Sequence, residues 1–318
     1  MNKVTQWCYY SVVGFSLLGL YAASFYNFTP SLFWNKVLSP TQETFSIDLP
    51  QKTKLKYSYN ALPYQLSPNL YVHSADELTQ TFETHSFSLE AARLDQETVP
   101  KLYLAKLPSD FNKQSPKNRQ MAFLQTVLPI IVAVNQGILE MRTHLEDLHI
   151  KQKSGLHLSS DEQMLLSKLY DDYNVKERTL EKLLQKVDII PASLTLAQGI
   201  LESGWGTSSL AQKANSLFGH TNNNNTMKRF PTLVNTVEYH VHNLNKHFAY
   251  KKFRQKRSEL RQKGQLDAHS LAEGLKPYSE RGMAYVHDIR KIMKQYQLYE
   301  FDRHISLTAR DQIGEKEA

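Results

Sequence analysis

Residues 118–148, NRQMAFLQTVLPIIVAVNQGILEMRTHLEDL, place Leu124, Leu128, Ile131, Asn135 and Ile138 on one stripe at helical spacing. A helix of that length must bury its apolar stripe against other elements, so the run predicts one long core helix in a packed domain. Pro129 has no N–H to donate and predicts a bend in it. Asn135, lying on the stripe, reads as a satisfied core hydrogen bonder rather than a reactive group. With 318 residues and 41% hydrophobic content, the chain can bury one good core and a second small one.

Further helical signals surround that run. SADELTQTFETH from residue 74 opens on a cap, Ser160 followed by Gln163 forms a capping-box signature for a helix to about Tyr173, and another helix is expected over 175–187. VPKLYLAKLP, 99–108, alternates like a short strand or extended segment, a candidate minor hairpin. Residues 29–73 hold Pro30, Pro40, Pro50, Pro63 and Pro68 without sustained helical period, which predicts an extended stalk. There is no internal repeat, and the four asparagines at 222–225 are the only low-complexity tract.

The N-terminus is of another kind. Residues 7–28 carry no charge and only Lys3 precedes them; at ~1.5 Å per residue they would cross a bilayer core of roughly 30 Å. They read as a membrane anchor, with a cleaved signal peptide ending near Tyr21, Ala22, Ala23 and Ser24 as the alternative. Both imply export, with the anchor's short end left in the cytoplasm. Cys8, the only cysteine, lies inside this apolar run, so the exported part has no thiol for a disulfide, a thiolate zinc site or a nucleophile.

The net charge of +7 and pI near 9.2 suit a polyanionic surface such as cell wall, lipid headgroups or nucleic acid, or simply a soluble basic domain. KHFAYKKFRQKRSELRQK, 246–263, concentrates eight Lys or Arg against one Glu, interleaved with Phe248, Tyr250 and Phe253. The run reads first as a solvated helix face and next as an attractor of anionic wall or lipid. Export argues against nucleic acid.

The chemistry concentrates in ILESGWGTSSL, 200–210. SLTLAQGILES, following Pro191, forms a mostly apolar helix through Leu194, Ala197, Ile200 and Leu201, and Gly204 and Gly206 stop it just after Glu202. A carboxyl at the negative end of a helix dipole, among apolar neighbours, has its pKa raised, as a general acid requires. Trp205 offers a flat wall for a sugar ring, and the glycines, Gly206 included, leave room for a substrate. Alternatively, Glu202 pairs with a nearby Lys or Arg. Residues 203–237 contain no Asp or Glu, so a second carboxylate would have to be Glu238 or come from farther away.

PASLTLAQGILESGWGTSSLAQKANSLFG, 191–219, resembles the signature of the glucosaminidase superfamily, glycoside hydrolase family 73, which is shared with the flagellar muramidase domain and bacterial autolysins. HNLNKHFAYKKFRQKR, LAEGLKPYSERGMAYVHDI and VPKLYLAKLPSDF extend the resemblance over about 75–298, within it most closely to the bacterial Bax protein family. The resemblance implies a mainly α, lysozyme-like helical domain with a small or reduced β-lobe, here with an N-terminal transmembrane helix. It also implies hydrolysis of the β-1,4 bond after N-acetylglucosamine in peptidoglycan. The family's acid carries over onto Glu202, its groove residues onto Trp205, Asn215, Phe218 and Gly219, and its tyrosine motif onto Tyr278, with Tyr285 as packing partner.

HTNNNNTMKRFPTLVN, 220–235, is shorter than the family's lobe and lacks its acids. One protein acid suffices if the substrate's own acetamido oxygen attacks the anomeric carbon while Glu202 protonates the leaving oxygen, and Tyr278 could orient that acetamido group. His240 stands where the family has an aromatic; with His242 it lacks a third ligand, so no metal or cofactor is expected.

The expected organisation is thus an anchor or signal at 1–28, a stalk at 29–73, a helical extension at 74–175, a catalytic domain at 176–300 and a flexible tail at 301–318. Its partners would be peptidoglycan glycan strands and the inner membrane, with the catalytic domain in the periplasm. A lytic transglycosylase on the same fold and a non-catalytic wall-binding module remain the alternatives.

Overall fold

The computed structural model describes residues 66–94, 99–222 and 224–302. The expected anchor and most of the stalk lie outside the described residues, as does the tail beyond 302. The described chain is mainly helical.

Two short helices come first, α1 (Ala75–Thr84) and α2 (Leu89–Arg93), capped by Ser74 and Ser88, whose hydroxyls accept from Glu77 N and Ala91 N. The predicted long helix is α3 (Pro116–Lys153), 38 residues running unbroken through Pro129. Leu124, Leu128, Ile131, Asn135 and Ile138 are all buried. By length and composition α3 could cross a membrane, but its apolar window is 78% buried inside the domain. Its apolarity therefore belongs to the core. Asn135 accepts from Ile190 N at 3.3 Å and donates to Ile190 O at 2.8 Å, the satisfied role expected of it.

Two expected helix starts move. In α4 (Ser160–Asp172) the capping box is Ser159 with Glu162, because the Glu162 carboxylate accepts from Ser159 N at 2.7 Å while Gln163 turns back to Leu158 O. Next comes α5 (Leu180–Lys186), which begins only after Asn174 and Arg178 take positive φ of 51° and 46° and Thr179 caps it. Helices α6 (Ala192–Ser203), α7 (Ser209–Ala214), α8 (Leu233–Lys246), α9 (Lys251–Gln262), α10 (Ala268–Leu271) and α11 (Met283–Gln295) follow, with 3-10 turns at Phe248–Tyr250, Ala272–Tyr278 and Leu298–Asp302.

Among the described residues there is no sheet. The β-lobe is reduced to one antiparallel bridge, Thr221 to Met227, and the 99–108 segment pairs through Leu104 with Leu70 rather than folding on itself as a hairpin. Leu66, Leu70 and Val72, read as the end of the stalk, pack against the core because their apolar side chains find this extended segment.

Helix α6 is the centre of the domain. Ten of its residues are buried, and it packs against α3, α11 and the turn Leu298–Asp302. One hydrophobic core runs from Leu78 to Phe301, crossing the expected boundary at 175. Phe301 and Asp302, assigned above to the tail, are docked instead: Phe301 is buried, and the Asp302 carboxylate accepts from Ser193 N at 2.8 Å and Ser193 Oγ at 2.6 Å.

The basic helix α9 is solvated on only one side. Lys251, Lys252 and Lys256 are exposed, whereas Arg254 and Arg257 are buried. Arg257 donates to the carbonyls of Gln185, Lys186, Asp188 and Ile189 and to Asn245 Oδ1, and Arg261 pairs with Asp188. Arg257 thereby satisfies the Gln185 and Lys186 carbonyls left open at the end of α5, where the helix dipole favours a cation.

Candidate active site

The end of α6 is built by three successive residues of positive φ: Gly204 (59°), Trp205 (61°) and Gly206 (76°). Gly204 is the left-handed C-cap, so the helix stops one residue beyond Glu202, at Ser203. Ser203 Oγ donates to Gly199 O at 2.5 Å and accepts from Gly206 N at 2.9 Å, which folds the turn back under the helix. Gly206 is buried there: a Cβ on it would lie 2.9 Å from Leu107, 3.2 Å from Phe111 and 3.3 Å from Phe123. Its smallness serves packing, not the room for substrate expected of it.

The room beside the acid comes from Gly219. Its φ is 65°, and a Cβ on it would stand 3.0 Å from Glu202 Oε2. Glu202 is half-buried, and burial pushes its pKa up, against smaller opposing pulls from the hydrogen bond of Tyr285 and the charge of Arg281. Tyr285 is buried and its hydroxyl also accepts from Gln198 Nε2 at 3.1 Å. Burial and the Glu202 charge raise its pKa, so it is a fixed donor at any working pH. Tyr278 stacks on Tyr285 at 5.4 Å and 12°, and its hydroxyl donates to Phe218 O at 2.6 Å. The proton of Tyr278 is thereby committed, and its oxygen is left as an acceptor. Tyr250, 6.2 Å from the Tyr278 ring, is pushed up to about 12, chiefly by burial.

The other expected groove residues face inward. Phe218 is fully buried and stacks on His240 at 3.9 Å and 7°. Asn215 is buried as the left-handed C-cap of α7, donating to Phe230 O and Pro231 O to hold the 220–231 loop. Trp205 is half-buried between Phe123 and Tyr296, at 5.8 and 4.7 Å, so its indole edges the core where a glycan wall was expected. Glu238 accepts from Leu66 N at 3.1 Å and from Asn235 at 3.4 Å. His240 hydrogen-bonds Gln198 and His220, and His242 packs on Tyr173 at 4.9 Å, so the two rings serve different places.

Gln198, Tyr250, Arg281, His220 and His240 are site or support residues that the sequence reading did not assign. Gln198 carries a legible signal, since it precedes Glu202 by one turn on α6 and shares its face. The remaining four reach the site through tertiary packing alone.

Against known families, the model described as mannosyl-glycoprotein endo-beta-N-acetylglucosaminidase, the glucosaminidase family, matches residues 177–298. The chain carries a glucosaminidase-family domain. This domain holds Glu202, Gly219, Tyr278 and Tyr285, while α3, which precedes it, packs against α6. Protein bax of Escherichia coli K12 is 36% identical over 184 residues, 52% of this chain and 66% of that one. Exo-glucosaminidase LytG of Bacillus subtilis 168 is 60% identical over 37 residues, 12% of this chain and 13% of that one. The chain thus spans just under two thirds of the first relative and a small part of the second. Among solved structures, the catalytic domain of the autolysin Auto from Listeria monocytogenes aligns with 49% of this chain and 97% of its own, at 14% identity and a TM-score of 0.29.

Proposed function

We propose that the glucosaminidase domain is a peptidoglycan hydrolase, an endo-β-N-acetylglucosaminidase that cleaves the β-1,4 bond after N-acetylglucosamine with Glu202 as general acid. The observation that carries this reading is the carboxyl itself. Burial pushes its pKa up against the weaker opposing pull of the Tyr285 hydrogen bond, which orients it, and the bare face of Gly219 lies against it, so a carboxyl biased towards its protonated form stands beside open space.

The reaction is substrate-assisted. The acetamido oxygen forms a bond to the anomeric carbon as the glycosidic oxygen leaves with the Glu202 proton; water then opens the cyclic intermediate and returns a proton to the Glu202 carboxylate. Tyr278 can only accept at its oxygen, which suits it to hold the acetamido N–H and direct the carbonyl oxygen inward. Glu238 favours this route over a two-carboxylate one, because it is engaged by Leu66 N and Asn235.

Glu202→Gln keeps the shape and removes the transferable proton, so release of soluble fragments from purified sacculi should fall at least ~10²-fold with sacculus binding retained. Glu238→Gln should keep most of the activity. An active Glu202→Gln variant overturns the reading. Mass spectra of the products test the cut: reducing N-acetylglucosamine ends are expected, whereas anhydro ends would make the protein a transglycosylase.

The same reading holds the enzyme at the inner membrane through residues 7–28, with the domain in the periplasm. The mature protein should fractionate with membranes and keep those residues. A mature N-terminus near residue 25 in a soluble exported fraction would make the segment a signal peptide.

A further inference from the structure

A line of hydrogen bonds leads away from Glu202 into the core. Tyr285 donates to the carboxylate and accepts from Gln198 Nε2 at 3.1 Å. Gln198 Oε1 meets His240 Nε2 at 3.1 Å, and His240 Nδ1 meets His220 Nε2 at 3.1 Å. With the Gln198 amide oxygen facing His240, counting protons fixes the direction of every link. An amide oxygen carries no proton, so His240 Nε2 must be the donor to Gln198. His240 is fully buried, and burial with the neighbouring His220 holds it far below the usual imidazole range, so the ring is neutral and its Nδ1 is a bare acceptor. His220, likewise pushed down to about 4 by burial and by Lys228, must then donate from Nε2.

The orientation of the Gln198 amide decides what Tyr285 can do. With the oxygen turned to His240, the NH2 faces Tyr285, whose hydroxyl has to accept it and retains its single proton for Glu202. The opposite tautomer of His240 would reverse the amide. Tyr285 would then donate to Gln198, and Glu202 would lose its donor.

We infer that His240, backed by His220, is a positioning residue for Glu202: it holds the Gln198 amide so that the Tyr285 hydroxyl donates to the carboxylate. Neither histidine touches substrate, and the inference rests on Glu202 being the proton donor of the proposed hydrolysis. The ring is also held by shape, stacked on Phe218 at 3.9 Å and set edge-on to Tyr278 at 5.8 Å. A phenylalanine at 240 therefore removes the two nitrogens and keeps the packing.

The readout is the alkaline limb of the pH–rate profile. Activity needs protonated Glu202 and falls as pH rises through its pKa. Losing a donor to the carboxylate raises that pKa and moves the limb to higher pH, by about one unit if the hydrogen bond is worth tenfold in the ionisation equilibrium. The charged and titratable groups facing Glu202 are Tyr285, Tyr278, Tyr250 and Arg281; His220 and Lys228 face His240 and its neighbour. All of them stay in place in the variant.

In the full chain, His240→Phe and Tyr285→Phe should both shift the limb upward, and the double variant should match Tyr285→Phe alone because the two act in series. A merely structural role would lower the rate at every pH and leave the limb where it is. A limb that is unmoved in His240→Phe, or that moves further in the double variant, overturns the inference. Nitrogen NMR of histidine-labelled wild-type protein tests it without any variant: His240 should be protonated at Nε2 and bare at Nδ1, and the reverse tautomer overturns it. Glu202→Gln separates the two failures. If that variant is active, the proposed acid is wrong; if it is inactive while the His240→Phe limb stays fixed, only the relay fails.

Discussion

A Cβ added at Gly219 would lie 3.0 Å from Glu202 Oε2, whereas one at Gly206 would lie 2.9 Å from Leu107 in the core. Both glycines have positive φ, so alanine strains the backbone at either position. Only the neighbours differ, and they assign opposite phenotypes. Gly219→Ala should push the carboxyl aside by a few tenths of an ångström and lower hydrolysis by roughly tenfold, short of the ~10²-fold of a misplacement of about 1 Å, at a small cost in stability. Gly206→Ala should cost roughly 2–4 kcal/mol from strain and overpacking, while the folded fraction keeps its turnover. Urea melts and sacculus hydrolysis on the two variants decide between these roles, and exchanged phenotypes would return Gly206 to the substrate cleft. The sequence makes Glu202 legible, because a lone acid at a glycine-stopped helix end stands out. It does not reveal that Asn215 and Phe218 face inward, because their partners, Phe230 and His240, come from later segments.

At the scale of elements, apolar period is the reliable signal for α3 and α6, which lie where their stripes predict, while α1 follows the cap at Ser74. Starts were less legible, since Ser159 and Ser160 offer equal caps until the Glu162 side chain selects one. In α9 the eye is drawn to charge, yet Arg254, Arg257 and Arg261 fall at helical spacing with the buried Phe253. That shared face was the available sign that these arginines point inward. Arg257 spreads five hydrogen bonds over the end of α5, the 188–189 backbone and Asn245, a fork that the single ammonium of lysine cannot reproduce. Arg257→Lys should therefore destabilise the domain by about 3 kcal/mol or more despite keeping the charge. Exposed Lys252→Ala, on the same helix, should stay within about 0.5 kcal/mol in the same thermal melts.

Over the whole molecule, α6 is gripped at both ends by the C-terminal part of the chain. Tyr285 holds Glu202 at one end, and Asp302 caps the other through Ser193. The cap was illegible in sequence, since residues past 300 lack a strong apolar period and Asp302 is 109 positions from its partner. It also makes stability depend on pH in an unusual direction. Burial raises the Asp302 pKa from 3.8 to about 7, the reverse of a carboxylate stabilised in its charged form. Between those values the folded chain holds a proton that the unfolded chain has released. Stability from this group is therefore fully present below about pH 4, lost as pH rises towards 7, and constant beyond. The loss is bounded by about 4 kcal/mol, taking about 1.4 kcal/mol per pH unit. Asp302→Asn keeps an oxygen for Ser193 N and cannot ionise, so it serves as the reference. Urea unfolding at pH 4.5 and 7.5 should give the wild type a disadvantage against Asp302→Asn that grows between the two pH values. A difference that stays constant would mean that Asp302 ionises as it does in the unfolded chain, and that the grip on α6 is independent of pH.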